Sequence, residues 1–335
     1  MFDIIDQIMN LDLGKRGVDK LYGPARARSK EPLCAAAARN LADLASGDRV
    51  LLITGSLTRP WVSTKIGETD GPVGVAALSR ALSYGFNAIP VVVTDTSLLE
   101  PVGATLRAAG QAVVSLAEAK NATANRRFCS VVVTLGFPIE DAPAQQEAKR
   151  LLDEMTPKAV IAVERAGMTV RGTYHNMLGQ DYTEGRARID YLVEEARTRG
   201  IPTIGVGDGG NEIGMGGIAE AVHKFVPHGE ILCAKTVTDV LLPAGVSNWG
   251  CYAIQAALAL LMGKQELAHT AGMEKRLIEA AANAGLVDGN TGKCEATVDA
   301  MPIEVHMGIA ELMATAVQRG LKEQKPLNQP PRTLP

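Results

Sequence analysis

Thr203-Ile204-Gly205-Val206 runs without a break into Gly207-Asp208-Gly209-Gly210-Asn211-Glu212-Ile213-Gly214-Met215-Gly216. The first four residues are apolar or β-branched with no polar alternation, the pattern of a strand covered on both faces. The next ten hold five glycines with Asp208, Asn211 and Glu212, a backbone free to turn sharply beside hard oxygen donors. A buried strand emptying into such a loop is the signature of an α/β sheet whose ligands sit beyond the strand ends.

The same arrangement recurs along the chain. Val50–Thr54, Ile89–Thr94, Ser130–Thr134 and Ala159–Val163 are apolar runs, each flanked by a segment of helical period. Ile189, Leu192, Val193 and Ala196 fall on one face of a helix closed by Gly200. Alternating strands and helices predict a mostly parallel, Rossmann-like layered α/β sheet with helices on both faces. The last third reads as helical, over 249–262, 274–284 and 302–319, flanking that sheet. Residues 1–324 are expected to form a single domain, with two lobes around a cleft as one arrangement of it. Residues 325–335, rich in proline, read as a loosely ordered tail.

The 335 residues are 46% hydrophobic and 21% charged, enough apolar material for a large buried core. Lysine and arginine number 34 against 37 acidic residues, a formal charge of −3, and only 4% are aromatic. Neither a field nor stacking platforms favour nucleic acid as a partner. The five scattered cysteines form no C-x-x-C pair, and no apolar run approaches the roughly 20 residues that span a bilayer. With an acidic amino terminus, these features lead to the expectation of a cytoplasmic protein without membrane contact. Oligomeric state stays open.

Four strand ends carry chemistry. After Val50–Thr54 come Gly55 and then Gly67-Glu68-Thr69-Asp70-Gly71-Pro72, leading into a helix near Val73. Ile89–Thr94 ends in Asp95, Ala159–Val163 in Glu164-Arg165-Ala166-Gly167, and Thr203–Val206 in the glycine-rich loop. Asp70 suits a helix cap, whereas Glu68 has no evident structural duty and is a candidate base or ligand. Glu164-Arg165 reads either as an ion pair at a strand end or as an arginine fork for a substrate carboxylate. Ser247 suits a cap for the next helix; Asn248 and Trp249 need another explanation. Glu212 stands where G-x-G-x-x-G requires its third glycine, so NAD is not indicated, and no P-loop for ATP exists. The five histidines lack ligand spacing, and no G-x-S-x-G elbow occurs.

Gly67 to Pro72, Glu164 to Gly167, Gly207 to Gly216 and Val246-Ser247-Asn248-Trp249-Gly250 together resemble the D-glutamate cyclase family, in its carboxyl-terminal catalytic domain. Val287-Asp288-Gly289 and Pro302-Ile303-Glu304-Val305-His306 also look like family positions, while Ser56 stands where an aromatic is expected. The resemblance implies a hydro-lyase that closes D-glutamate to 5-oxo-D-proline, with a small acidic amino acid as partner. Glu68, Asp208 and Glu212 are then the expected catalytic residues, with Asp208 and Glu212 holding a divalent cation, magnesium or manganese. Thr54, Gly55, Thr69, Asp70, Glu164, Arg165, Asn176, Gly209, Gly210, Asn211, Ser247, Asn248 and Trp249 are expected to bind substrate, with Arg165 as clamp for its α-carboxylate. Two rivals remain. Gly207 to Glu212 also looks like the magnesium loop of haloacid-dehalogenase-type phosphatases, although no D-x-D-x-[TV] nucleophile follows a strand; the other is a non-catalytic binder of acidic amino acids.

Overall fold

All five expected strands form in the computed structural model, which describes residues 1–125 and 128–324. Among the described residues, one parallel sheet contains β1 (Arg49–Ile53), β2 (Ile89–Asp95), β3 (Ala112–Val113), β4 (Val131–Phe137), β5 (Ala159–Val163), β6 (Thr203–Gly207) and β7 (Val240–Pro243). Their spatial order is β3-β4-β2-β1-β5-β6-β7. The expected tail, 325–335, lies outside the described residues. No helix among the described residues is long and apolar enough to cross a membrane.

Strand pleating sends alternate side chains to opposite faces, which explains why the strands are apolar throughout. Val50 and Leu52 of β1 enter one core, and Leu51 and Ile53 the other. The smaller core is covered by helices at Leu116–Ala124, Asp141–Met155 and Asp190–Thr198. The larger is covered by Pro72–Phe86, Ser247–Met262, Ala271–Asn283 and Ile303–Gln324, together with amino-terminal helices. The expected carboxyl-terminal helices thus pack on one sheet face as a flank. Ser247–Met262 is buried around its whole circumference as far as Leu260, as its lack of a polar face requires.

The strand order fixes where a ligand can bind. From β1 the chain moves to β2, crosses to β3 at the edge and comes back to place β4 between β2 and β3, then passes to the other side of β1 and builds through β5, β6 and β7. Connections leaving β1 and β5 therefore diverge, opening a crevice above their carboxyl ends. The loops beginning at Thr54 and Glu164 both start there.

Candidate active site

Three loops deliver carboxylates to this crevice. Asp70, Glu164 and Asp208 each place a carboxylate oxygen within 4.8 Å of the other two. They follow β1, β5 and β6, so residues as far apart as 70 and 208 share one spot because adjacent parallel strands end together.

Two helix amino termini hold the cluster from behind. Asp70 does not cap the helix it precedes, Pro72–Phe86. Its Oδ2 accepts the N–H of Ser247 at 3.0 Å and its Oδ1 that of Asn248 at 2.9 Å, the first turn of Ser247–Met262. Asn248 Oδ1 in return accepts the N–H groups of Gly71 and Gly74, at 2.9 and 2.6 Å, at the start of Pro72–Phe86. The side chains thus satisfy amides that helix geometry leaves unpaired. Glycine is required at 74, where a Cβ would lie 2.8 Å from the Asn248 Cα. Ser247 Oγ donates to Glu164 Oε2 at 2.6 Å. Glu164 itself has φ +46°, a left-handed conformation that a non-glycine residue keeps only when its surroundings enforce it.

Arg16 enters from a loop near the amino terminus. Its Nη2 lies 2.5 Å from Asp208 Oδ2, 2.8 Å from Asp299 Oδ2 and 3.0 Å from the Gly245 carbonyl. Asp299 sits with Ala300 at the turn between Thr297–Val298 and Met301–Pro302, both with positive φ. Asp288 braces that turn: its Oδ2 accepts the Ala300 N–H, and its Oδ1 accepts those of Asn290 and Thr291. This is a structural reason for Val287-Asp288-Gly289.

Glu212 is occupied differently from Asp208. Its two oxygens accept the N–H groups of Asp208, Gly209 and Gly210, fixing the glycine-rich loop at 3.1, 2.6 and 2.7 Å. Of the two expected cation ligands, Asp208 belongs to the three-carboxylate cluster and Glu212 does not. Asn211 donates to the His175 carbonyl and Tyr182 hydroxyl. Asn176 closes a turn by accepting from Leu178 and Gln180, and borders the cleft.

Crowded carboxyl groups resist ionisation. Burial, with Asp299 adding repulsion, pushes Glu68 up to about 8, against the pull of Ser56 and Arg186. Burial and Asp299 push Asp70 up to about 7, although the Asn248 and Ser247 amides and Arg16 favour its charge. Glu164 is raised well above the usual carboxylate range by burial and by Glu212, Asp70 and Glu68. Asp208 is raised by burial and by Glu164, Asp299 and Asp70, which outweigh Arg16. Burial works against the Arg16 charge, but Asp208, Asp299, Glu164 and Asp70 together hold it firmly protonated. With every carboxyl ionised the site would carry more negative charge than one arginine balances, so its carboxyls favour protonation, and Asp70, Glu164 and Asp208 could hold a cation. Three hard oxygen donors in reach of one point suit magnesium or manganese better than zinc.

Several expected residues lie behind the site. Arg165 is fully buried: it pairs with Asp95 and donates to the carbonyls of Gly55 and Ala187 at 2.6 and 2.7 Å. It pairs neither with Glu164 nor with anything in the cleft. Trp249 donates its Nε1 to His306 Nδ1 at 3.1 Å in the larger core, which explains both residues as packing partners. Thr69 Oγ1 donates to the Thr297 carbonyl, and Thr54 is fully buried with an unpartnered hydroxyl. The cleft, about 500 Å³, is instead bordered by residues that sequence reading passed over, Arg16, Arg59, Tyr182 and Asp299, and by Ser56, which it noted only as a departure from the family. Glu68, Glu164, Asp208, Asn211 and Glu212 also line it. Gly289 admits the Glu68 side chain, since a Cβ there would fall 2.3 Å from Glu68 Oε2.

Residues 5–314 match the family described as D-glutamate cyclase-like, C-terminal. A human protein named D-glutamate cyclase, mitochondrial, is 30% identical over 260 residues, which are 77% of this chain and 38% of that protein. The chain thus spans well under half the length of this relative. The match takes in the loops after β1, β5 and β6 whose carboxylates converge above the sheet. With nearly its whole length matched, the chain belongs to the D-glutamate cyclase-like family, in that family's carboxyl-terminal part.

Proposed function

We propose that the chain is a hydro-lyase that closes D-glutamate to 5-oxo-D-proline with loss of water. The observation that carries this reading is the meeting of Asp70, Glu164 and Asp208 in one cluster, of which Glu164 and Asp208 line the cleft together with Arg16. Family membership supplies the reaction class; the site supplies groups that the reaction needs.

In the reaction the substrate nitrogen bonds to its own side-chain carboxyl carbon, and one carboxyl oxygen leaves as water. The amine begins protonated and gives up two protons in becoming the lactam nitrogen, while the departing carboxylate oxygen gains two to leave as water. A crowded carboxyl cluster contains ionised and protonated members near neutral pH, so one wall can offer both a base and an acid. Glu68 and Asp208 are our candidates for the proton-transfer roles. The Arg16 guanidinium and the electropositive ends of two helices oppose the charge that develops on the tetrahedral carbon's oxygen. Holding the substrate folded supplies further acceleration, because the ring closes within one molecule. Asp70, Glu164 and Asp208 would hold a divalent cation, which when bound would polarise the reacting carboxyl group.

The test is incubation with D-glutamate and L-glutamate separately, followed by chiral chromatography and mass detection. The reading expects a product lighter by one water from the D enantiomer. Thermal stabilisation by D-glutamate without product would instead favour a binder.

A further inference from the structure

Two guanidinium groups border the cleft, Arg16 and Arg59, and their situations differ. Arg16 is committed to Asp208 and Asp299. Arg59 meets only neutral acceptors: Nη1 donates to Thr58 Oγ1 at 3.1 Å, and Nη2 to the Gly289 and Asn290 carbonyls at 3.1 and 3.3 Å. Among the described residues it forms no ion pair. The neighbouring arginines are unavailable, Arg165 being paired with Asp95 behind the wall and Arg186 fully buried 4.0 Å from the Tyr182 ring.

The placement of Arg59 is constrained. Its φ is +54°, an uncommon conformation for a residue with a side chain. The carbonyls that hold it belong to the loop that Asp288 braces. Gly292 clears room for the guanidinium, since a Cβ there would lie 2.8 Å from Cζ and Nε. A fixed, partly buried guanidinium without a counter-charge, on the wall of a cleft, is arranged to receive a carboxylate.

We propose that Arg59 binds the carboxylate of the substrate that does not react, making the site selective for amino acids with two carboxyl groups. This rests on the cyclase reading of the cleft, which supplies the reacting carboxyl at the Asp70, Glu164 and Asp208 cluster. With D-glutamate, the group held by Arg59 is the α-carboxylate.

The test compares the unmodified chain with Arg59→Gln and Arg59→Lys, after thermal melts establish that each variant folds. D-glutamate is compared with D-isoglutamine, in which a neutral carboxamide replaces the α-carboxylate. Arg59→Gln is expected to lower kcat/KM for D-glutamate by roughly 10- to 100-fold, mostly through KM, as loss of a charged hydrogen bond predicts. Its effect on D-isoglutamine should be under about 3-fold on the same basis, and Arg59→Lys should recover part of the D-glutamate loss. Equal losses on both substrates, or no loss on either, overturn the assignment. Binding of glutarate, measured by calorimetry, separates this inference from the reaction itself. If the unmodified chain forms no 5-oxoproline yet binds glutarate at least about 10-fold more tightly than Arg59→Gln, the anchor stands and the cyclase reading fails. Glutarate binding that is absent, or equal in the two chains, overturns the anchor.

Discussion

Asp70 and Asn248 each cap the helix in which the other stands or which the other precedes, across 178 residues of chain. The exchange locks the amino termini of Pro72–Phe86 and Ser247–Met262 side by side beneath the carboxylate cluster. Asn248→Ala strands the Gly74 amide in a buried setting and leaves the Gly71 amide to Asp70 Oδ1 alone, and should lower stability by about 1–3 kcal/mol. Thermal melting of the variant checks this; an unchanged midpoint would show that the cross-cap contributes nothing.

The cluster and the glycine-rich loop make different demands on their carboxylates. Asp208→Asn should reduce turnover by about 10²-fold or more through lost proton transfer, and Glu164→Gln should reduce it by weakening the three-carboxylate cluster, with the fold retained in both. Glu212→Gln should act on structure, loosening the loop that its oxygens hold. Steady-state rates beside melting curves separate the two; full turnover in both cluster variants contradicts the placement of the chemistry.

Glu68 and Asp70 set a pH dependence of stability. Both are pushed up in the folded chain, to about 8 and about 7, whereas the unfolded chain ionises them at the ordinary values near 4. The folded state therefore holds protons that the unfolded state has lost, and their contribution is full below the unfolded values. It declines as pH rises and is gone above about 8. Melting temperature should fall from pH 5 to pH 8, less so in Glu68→Gln. Manganese or magnesium should raise the midpoint more at pH 8 than at pH 5, and chelation should abolish that gain. A flat profile insensitive to Glu68→Gln would count against the burial argument.

Arg165 should behave as a structural residue. Replacing it by methionine leaves Asp95 buried without its partner, and breaking such a pair costs about 3–5 kcal/mol. The loss should show in denaturant unfolding. A variant that folds normally but binds D-glutamate weakly would instead return Arg165 to the substrate.

The sheet was legible because its strands are buried on both faces and therefore apolar without interruption; Val50–Thr54 and Ala159–Val163 needed nothing more. β3, only Ala112–Val113, is too short to leave a pattern. Glu164 and Asp208 were legible as polar residues directly beyond strands, and Glu68 as a carboxylate in the loop that leads from β1 to the next helix, where this fold gathers its ligands. Arg16 was not: it stands in a loop without period, and its partner Asp208 is 192 residues away. Arg165 looked like a free fork because sequence cannot reveal that Asp95, at the end of β2, takes its charge. Asp70 and Ser247 both had the composition of caps, but only three-dimensional packing showed that Asp70 caps the helix beginning at Ser247.

If this cleft catalyses the proposed ring closure, one side-chain oxygen of D-glutamate leaves as water. The direct measurement is incubation with D-glutamate carrying ¹⁸O in both side-chain carboxyl oxygens, with the isotope followed in product and solvent. The expected product is 5-oxo-D-proline retaining one labelled oxygen, the other appearing in water, at a rate that falls at least about 10²-fold in Asp208→Asn. No labelled 5-oxoproline, or the same rate in the variant, would contradict it.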